Sequence, residues 1–356
     1  MRIAVITNDG ERGGGAGRIA ALYTDALKRL GHEVRVWGPR DTFFQLSTMS
    51  GWKRLLFHLA DLRANPDLVS QIRAWNPDAL ITHNLTGCGF GTPSRVQRMG
   101  VRWVHFLHDV QLFEPSGQMI AGESCPTWRW LWRMLWSRFR RCVLGEPDTV
   151  ISPTQWLLDA HRRFGWFMRT PAVVIPNPIY LQTCTEEAVR DLKQIVFVGR
   201  IDWDKGIDVL IEAWARVRDR VSRLVLIGDG AWVGRIRAMK DSNIELCGVQ
   251  PSDEVMRRLS GSGILVVPSR VHENQPTVIL EGLVAGCKVI ATDVGGVKET
   301  LSGAGEIVQP NSVDALVRAI ETCVSTESSS AVPSIVAAHD PERCVSALIG
   351  ALKSNL

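Results

Sequence analysis

Short, uninterrupted runs of apolar and β-branched residues recur along this chain, and helix-length segments separate most of them. In the first half the runs are Ile3–Thr7, Glu33–Trp37, Ala79–Thr82, Arg102–Leu107, Thr149–Ser152 and Ala172–Ile175. In the second half they are Gln194–Val198, Arg223–Ile227, Asn243–Leu246, Gly263–Val267, Lys288–Ala291 and Gly305–Val308. Between them lie segments such as Arg18–Leu30, Gly206–Asp219, Asp253–Ser260 and Thr277–Ala285. A strand apolar along its whole length must be covered on both faces, and parallel strands joined by crossover helices meet that demand. The pattern predicts an α/β chain built from two Rossmann-like halves.

The join falls at Ile175-Pro-Asn-Pro-Ile179 and the polar run Gln182–Lys193. Two prolines in three residues continue neither a helix nor a central strand. We therefore expect a first domain over 1–178 and a second over 179–340, with a last helix over about 341–356 free to pack back on the first. A length of 356 residues suits two domains of about 150 to 180 residues each.

Composition narrows the class. Apolar residues make up 45% and charged residues 22% of the chain, as in globular proteins. A formal charge of +4 suits an anionic ligand or membrane face but is too small to argue for nucleic acid. The opening MRIAVITNDG reads as a strand entering a turn, without the n-region, h-region and cleavage site of a signal peptide. No run approaches the ~20 apolar residues needed to span a bilayer. The eight cysteines form no CxxC pair and no metal-ligand spacing, so we expect reduced, mostly buried thiols, no zinc, and a cytoplasmic chain. Ser325–Ser330 is the single low-complexity tract and reads as a surface loop.

Candidate chemistry lies where strands end. Gly13, Gly14, Gly15 and Gly17 follow the first strand and precede a helix, so a backbone there can approach a phosphate or an acceptor closely; a flexible turn is the alternative. The context does not match a dinucleotide fingerprint, because no acidic residue suitably closes a second strand beyond Glu33. In the second half, Gly199-Arg200 ends a strand and Lys205-Gly206 opens a helix. Two cations at the C-terminal ends of parallel strands can converge on one crevice, where Arg grips phosphate oxygens and Lys adds a mobile charge. A departing diphosphate needs such fixed cations; solvated surface cations are the other reading. The strand Gly263–Val267 leads through Pro268-Ser269-Arg270 to Glu273, with Pro276 near the first helical turn, Glu281 just inside the helix and Gly286 as its stop. The free N–H groups of that helix start can bind phosphate, with Thr277 adding a hydroxyl and the carboxylates lying on either side. Glu281 taken alone is also explained by the helix dipole.

The spacing Glu273-x7-Glu281 within PSRVHENQPTVILEGLVAGCKVIAT resembles the signature of the retaining family 4 glycosyltransferases. So do GGGAGRIAALYTDALKRLGHEV, VHFLHD, VISPTQW, VIPNP, FVGRIDWDKGID, LIGDG and ELCGV, which fall in family order over most of residues 1–310. The resemblance implies a GT-B fold, two Rossmann-like domains facing across a central cleft. It implies a nucleotide-diphosphate sugar as donor and a glycan or lipid-linked acceptor, in cell-surface polysaccharide or lipopolysaccharide biosynthesis. By the same resemblance Arg200 and Lys205 would bind the diphosphate, Glu281 the ribose, and Glu273 the transferred hexosyl group. The backbone of Asn274, Gln275, Pro276 and Thr277 would hold phosphate, and Leu246 to Val249, Gly248 among them, would border the base. His108 would face the donor sugar, and Gly14 and Gly15 would approach the phosphate and acceptor. His105 and His108 can equally be strand-end or core histidines, Asp109 a turn cap, and Glu299 structural. Asn274-Gln275-Pro276 departs from the Gly-Phe-Gly of many members, which bears on sugar choice. No metal or other cofactor is expected, since the cations and helix N–H groups neutralise the diphosphate. The alternatives are a non-catalytic GT-B protein that binds a glycan or nucleotide sugar, and another α/β enzyme such as an epimerase or dehydrogenase. The latter would need a Tyr-x-x-x-Lys base, which neither Tyr23 nor Tyr180 supplies.

One segment stands apart. Trp128, Leu131, Trp132, Leu135, Phe139 and Cys142 fall on one helical stripe, and Arg129, Arg133, Ser137, Arg140 and Arg141 on another. This predicts either an interfacial helix on anionic lipid at the inner face of the plasma membrane, or an apolar stripe packed on the first-domain sheet. Trp52-Lys-Arg-Leu-Leu-Phe-His58 is a second basic-aromatic stretch.

Overall fold

The structure, a computed structural model, describes residues 1–8, 15–39, 51–114, 116–123, 127–179, 190–326, 335 and 337–353. It divides into two compact units, one of Met1–Gln118, Ser124–Pro178 and His339–Leu356, the other of Met119–Glu123 and Ile179–Ala338. Gly13, Gly14, most of the polar run after Ile179 and most of the serine tract lie outside the described residues.

In the first unit, β1 (Arg2–Ile6), β2 (Glu33–Trp37), β3 (Ala79–Thr82), β4 (Arg102–Phe106), β5 (Thr149–Ser152) and β6 (Ala172–Val174) form one sheet. Its order is β2-β1-β3-β4-β5-β6 and every pairing is parallel. The winding reverses between β1 and β3, so the loops after these strands flank a switch point. The C-terminal helix Pro341–Lys353 belongs to this unit: Cys344, Val345, Leu348 and Leu352 join Ile19, Tyr23 and Leu27 of the helix Gly15–Arg29 over Ile3, Val5, Ile81 and Val104. Residues at i, i+4 and i+8 make one stripe, and each fully buried leucine or valine contributes roughly 1.5–3 kcal/mol. His339 Nδ1 lies 2.9 Å from Asn177 O, and Cys344 Sγ 3.3 Å from Pro176 O, so the returning chain is tied beside the double-proline segment.

The helix Thr127–Leu144 corrects one expectation, since its apolar stripe does not pack on the sheet. Trp128, Leu131, Trp132, Leu135 and Phe139 are exposed, while Arg133, Ser137 and Arg140 of the other stripe are buried. The buried side is satisfied by specific partners. Arg133 ion-pairs with Glu114, and Ser137 accepts a 2.7 Å bond from Trp166 Nε1. Arg140 donates to Gln111 O and lies 4.5 Å over Phe90 and 4.8 Å over Trp136. Burial lowers the Arg140 pKa to about 10, against the opposing pull of Asp61 and Asp109.

In the second unit, β7 (Asp191–Val198), β8 (Arg223–Ile227), β9 (Ile244–Gly248), β10 (Ser262–Val267), β11 (Lys288–Thr292) and β12 (Gly305–Val308) form a second sheet. Its order is β12-β11-β10-β7-β8-β9, again parallel throughout. Alternation along β10 sends Ile264 and Val266 into a core with Leu210, Trp214 and Ile320, and Leu265 and Val267 into one with Ile279, Leu283 and Val297. Both faces are thus covered, which is why these strands read as continuous apolar runs. β7 starts at Asp191, earlier than the apolar run, because its first residues pair with β10 while their side chains stay exposed. The winding reverses at the β7–β10 pair.

Candidate active site

Both chemically loaded segments of the second unit start at that reversal, one after β7 and one after β10. After β7 the chain makes a 3-10 turn, Trp203–Lys205, closed by Gly206 and followed by the helix Ile207–Val217. Gly206 has φ +71°, and a Cβ there would stand 1.9 Å from the carbonyl oxygen of Pro268. Only glycine lets this turn sit directly against the end of β10. After β10, Glu273 pairs with Gly295 in an isolated parallel bridge, and Gly296 N donates to Glu273 O at 2.8 Å. Gly295 is equally constrained: its φ is +65°, and a Cβ there would stand 2.0 Å from Glu273 O.

These approaches bring two of the expected residues together. Lys205 Nζ lies 2.5 Å from Glu273 Oε1, and Ser269 Oγ donates to the same oxygen at 2.9 Å. Arg200 is positioned differently: its guanidinium bridges Asp202, at 2.8 Å, and Asp204. It is half exposed, so these pairs are weak and exchangeable. Pro276 caps the helix Thr277–Val284 in extended conformation, φ −70° and ψ 110°, and makes no side-chain hydrogen bond to that end. Thr277 is the first helical residue and Glu281 the fifth, a full turn in. Asn274 and Gln275 lie in the connection between Glu273 and this helix. Gly248 ends β9 with φ +68° and accepts from Gly228 N at 2.8 Å, which ties the loops after β8 and β9 together. Val249 beside it is exposed.

Nothing in the sequence pattern assigns Arg270 a role, yet it clamps this end of the sheet. It is buried, forks onto Asp208 at 2.5 and 2.8 Å, donates to Trp203 O at 2.7 Å and lies 4.5 Å over the Trp203 ring. Its own N–H donates to Asp204 O at 2.9 Å. The turn carrying Lys205 is thereby fastened to the loop carrying Glu273. The available signal is an arginine shortly after a wholly apolar strand, with an aspartate three residues past Lys205.

In the first unit, His108 follows β4 and Asp109 accepts from Gln111 N at 2.8 Å, so Asp109 caps a turn. His108 Nε2 meets His83 Nδ1 at 2.8 Å, and His83 stacks on Phe106 at 4.7 Å. His105 is a core histidine, 2.7 Å from Thr82 Oγ1, which also accepts from Trp103 Nε1 at 2.7 Å. Burial lowers the His108 pKa to about 4, and burial with the neighbouring histidines lowers His105 to about 3 and His83 in the same direction. His108 is therefore a neutral imidazole at neutral pH and offers a hydrogen bond rather than a charge. The sequence pattern does not single out His83; its signal is a polar pair, His83-Asn84, after the buried strand Ala79–Thr82. Gly15 opens the helix after β1 and Gly17 lies inside it.

Among the described residues no cluster of His, Cys, Asp and Glu could hold a metal ion. The described cysteines, Cys88, Cys142, Cys247, Cys287, Cys323 and Cys344, are free thiols. Among the described residues no helix is long and apolar enough to cross a membrane.

Family models match both units: "Glycosyltransferase Family 4" over residues 13–183 and "Glycosyl transferases group 1" over residues 192–326. A 42.6 kDa protein of the cps region of Klebsiella pneumoniae is 24% identical over 74% of this chain and 69% of its own length. The putative teichuronic acid biosynthesis glycosyltransferase TuaC of Bacillus subtilis is 31% identical over 51% of this chain; the match spans 48% of TuaC, about half its length. Among solved structures, Anabaena HepE in complex with UDP superposes with a TM-score of 0.70 at 16% identity, covering 99% of this chain and 100% of that chain. The likeness to HepE carries the fold, and the two family models carry the membership: the chain belongs to the family 4 glycosyltransferases, with a GT-B fold.

Proposed function

We propose that this glycosyltransferase is retaining, and that it moves a hexosyl residue from a nucleotide-diphosphate sugar to a glycan or lipid-linked acceptor. The observation that supports the reading most is the Lys205–Glu273 pair at the β7–β10 reversal, one short connection away from the start of the helix Thr277–Val284. A diphosphate at that helix start would meet N–H donors and the positive end of the dipole. Lys205, and Arg200 once it exchanges an aspartate for phosphate, would stabilise the charge that grows as the sugar C1–O bond breaks. Glu273 would accept hydrogen bonds from hydroxyls of the transferred sugar, and Glu281 from the ribose. The backbone from Asn274 to Thr277 would hold phosphate oxygens, and Gly248 would border the base.

No protein nucleophile is needed in this scheme. The acceptor oxygen attacks C1 on the face the diphosphate leaves, and its proton passes to the departing phosphate oxygen. The residues named neutralise the diphosphate without a metal ion, so EDTA should leave turnover unchanged. TuaC is named for teichuronic acid biosynthesis and the Klebsiella relative belongs to a cps region, which favours a cell-surface polysaccharide step at the inner face of the plasma membrane. HepE binds UDP, which puts UDP-sugars first among donors. A thermal-shift and donor-hydrolysis screen over UDP-, GDP-, ADP- and dTDP-sugars should find one class that raises the unfolding temperature and is slowly hydrolysed. Failure of every donor to bind would sink the reading.

A further inference from the structure

The helix Thr127–Leu144 is inside out for a soluble domain. Trp128 is 71%, Leu131 52%, Trp132 53%, Leu135 63% and Phe139 51% exposed, and Trp130 and Met134 widen the stripe. A helix of 18 residues extends about 27 Å, so the stripe is far longer than a small-ligand pocket. Exposed apolar area of this size marks an interaction surface. A second helix of the same unit, Gly51–Ala60, repeats the pattern, with Trp52, Leu56 and Leu59 exposed at i, i+4 and i+7.

Charge indicates what covers the stripe. Neither helix contains an acidic residue, and the exposed side chains beside the apolar ones include Arg138 and Lys53. Tryptophans over apolar side chains, on helices that carry cations and no acidic residue, complement a bilayer surface, where acyl chains lie beneath phosphates. Yet most of the helix's basic charge is turned away from that surface. Arg133 pairs with Glu114, Arg140 is buried on Gln111 O between two rings, and Arg141 donates to Gly165 O.

We infer that this helix docks on a lipid bilayer by inserting its Trp128–Phe139 stripe, and that insertion rather than charge attraction holds it there. A basic patch would lose its hold as salt rises, because exposed charges are screened. An inserted apolar stripe does not. The inference is independent of which sugar is transferred, and its readout needs no donor.

The test is flotation of the full chain with vesicles of phosphatidylcholine alone and of phosphatidylcholine with one quarter phosphatidylglycerol, at low and high salt. We expect binding to both, tighter to the anionic vesicles by no more than about tenfold, and on phosphatidylcholine alone a loss of less than about threefold at high salt. The variant W128S/L131S/W132S/L135S should bind at least about 100-fold more weakly, because each deletion removes inserted area. Those side chains are exposed, so its circular dichroism and unfolding temperature should match the parent. No binding to either vesicle overturns the inference, as does binding only to anionic vesicles that vanishes with salt. Equal binding by the variant also overturns it. So does a parent that sediments as a dimer, ignores vesicles and becomes monomeric on substitution, since the face would then join two copies of this chain.

Discussion

Lys205→Ala should lower kcat by roughly 10²–10³-fold with saturating donor, and Glu273→Gln by a similar factor, while both variants stay folded. The reason is positional. Lys205 is the last residue of a 3-10 turn that Gly206 presses against Pro268 and that Arg270 fastens from below. Its Nζ is thus held 2.5 Å from Glu273 Oε1 at the end of the sheet where a leaving group would develop charge. Removing the ammonium withdraws a preorganised cation from the transition state, whereas Glu273 keeps its 2.9 Å bond from Ser269. The amide of Glu273→Gln keeps the shape of the side chain but brings a donor where sugar hydroxyls need an acceptor. Because the two groups form one unit, the double variant should lose little more than either single one. Steady-state turnover with the donor from the screen, beside thermal unfolding, measures this. Turnover within threefold of the parent would remove the pair from the mechanism.

Acidification should unfold the first unit before the second. His105 is lowered to about 3, His108 and His161 to about 4, and His83 in the same direction, all chiefly by burial. In the unfolded chain these groups titrate near 6.5, so between about pH 6.5 and 4 the unfolded state binds protons that the folded state does not. Stability is therefore full above about pH 6.5 and falls as pH drops, until the folded histidines themselves titrate. At pH 5 each histidine costs roughly 2 kcal/mol, and a few together rival the 5–15 kcal/mol stability of an ordinary domain. The second unit has only His272 shifted this way among its described histidines. Its depressed carboxylates, Glu245 beside Arg258 and Glu254 at about 2 beside Arg257 and Arg258, hold their contribution until pH falls below about 4.5. Hydrogen exchange at pH 7 and pH 5 should show protection lost in Ala79–Phe106 first. Equal loss in β7 and β10 would contradict the assignment.

Much of this architecture was legible because a doubly covered strand leaves an unmistakable run, as in β3 and β10. Register shows its limits at β7, whose exposed first residues, Asp191, Leu192 and Lys193, form no apolar run and are recruited by pairing. The donor-site candidates were legible because they sit at strand ends and glycine turns, where local chemistry decides position. Arg270 and His83 were not, since their meaning comes from partners 62 and 25 residues away, Asp208 and His108. The Trp/Arg helix was misleading for a related reason. A helical wheel separates two stripes but cannot say which is inside, and here Glu114, Gln111 and Gly165 offered the arginines better partners than water.

On the proposed function, the second unit recognises a diphosphate through Arg200, Lys205 and the start of the helix Thr277–Val284. Calorimetric titration of the parent with the nucleoside diphosphate and the monophosphate of the active base tests it most directly. The diphosphate should bind at least about tenfold more tightly, since the second phosphate gains charge-assisted hydrogen bonds. In Arg200→Ala/Lys205→Ala the advantage should disappear while monophosphate affinity stays within about threefold. Equal affinities in the parent, or an advantage that survives the double substitution, would contradict diphosphate recognition by these residues.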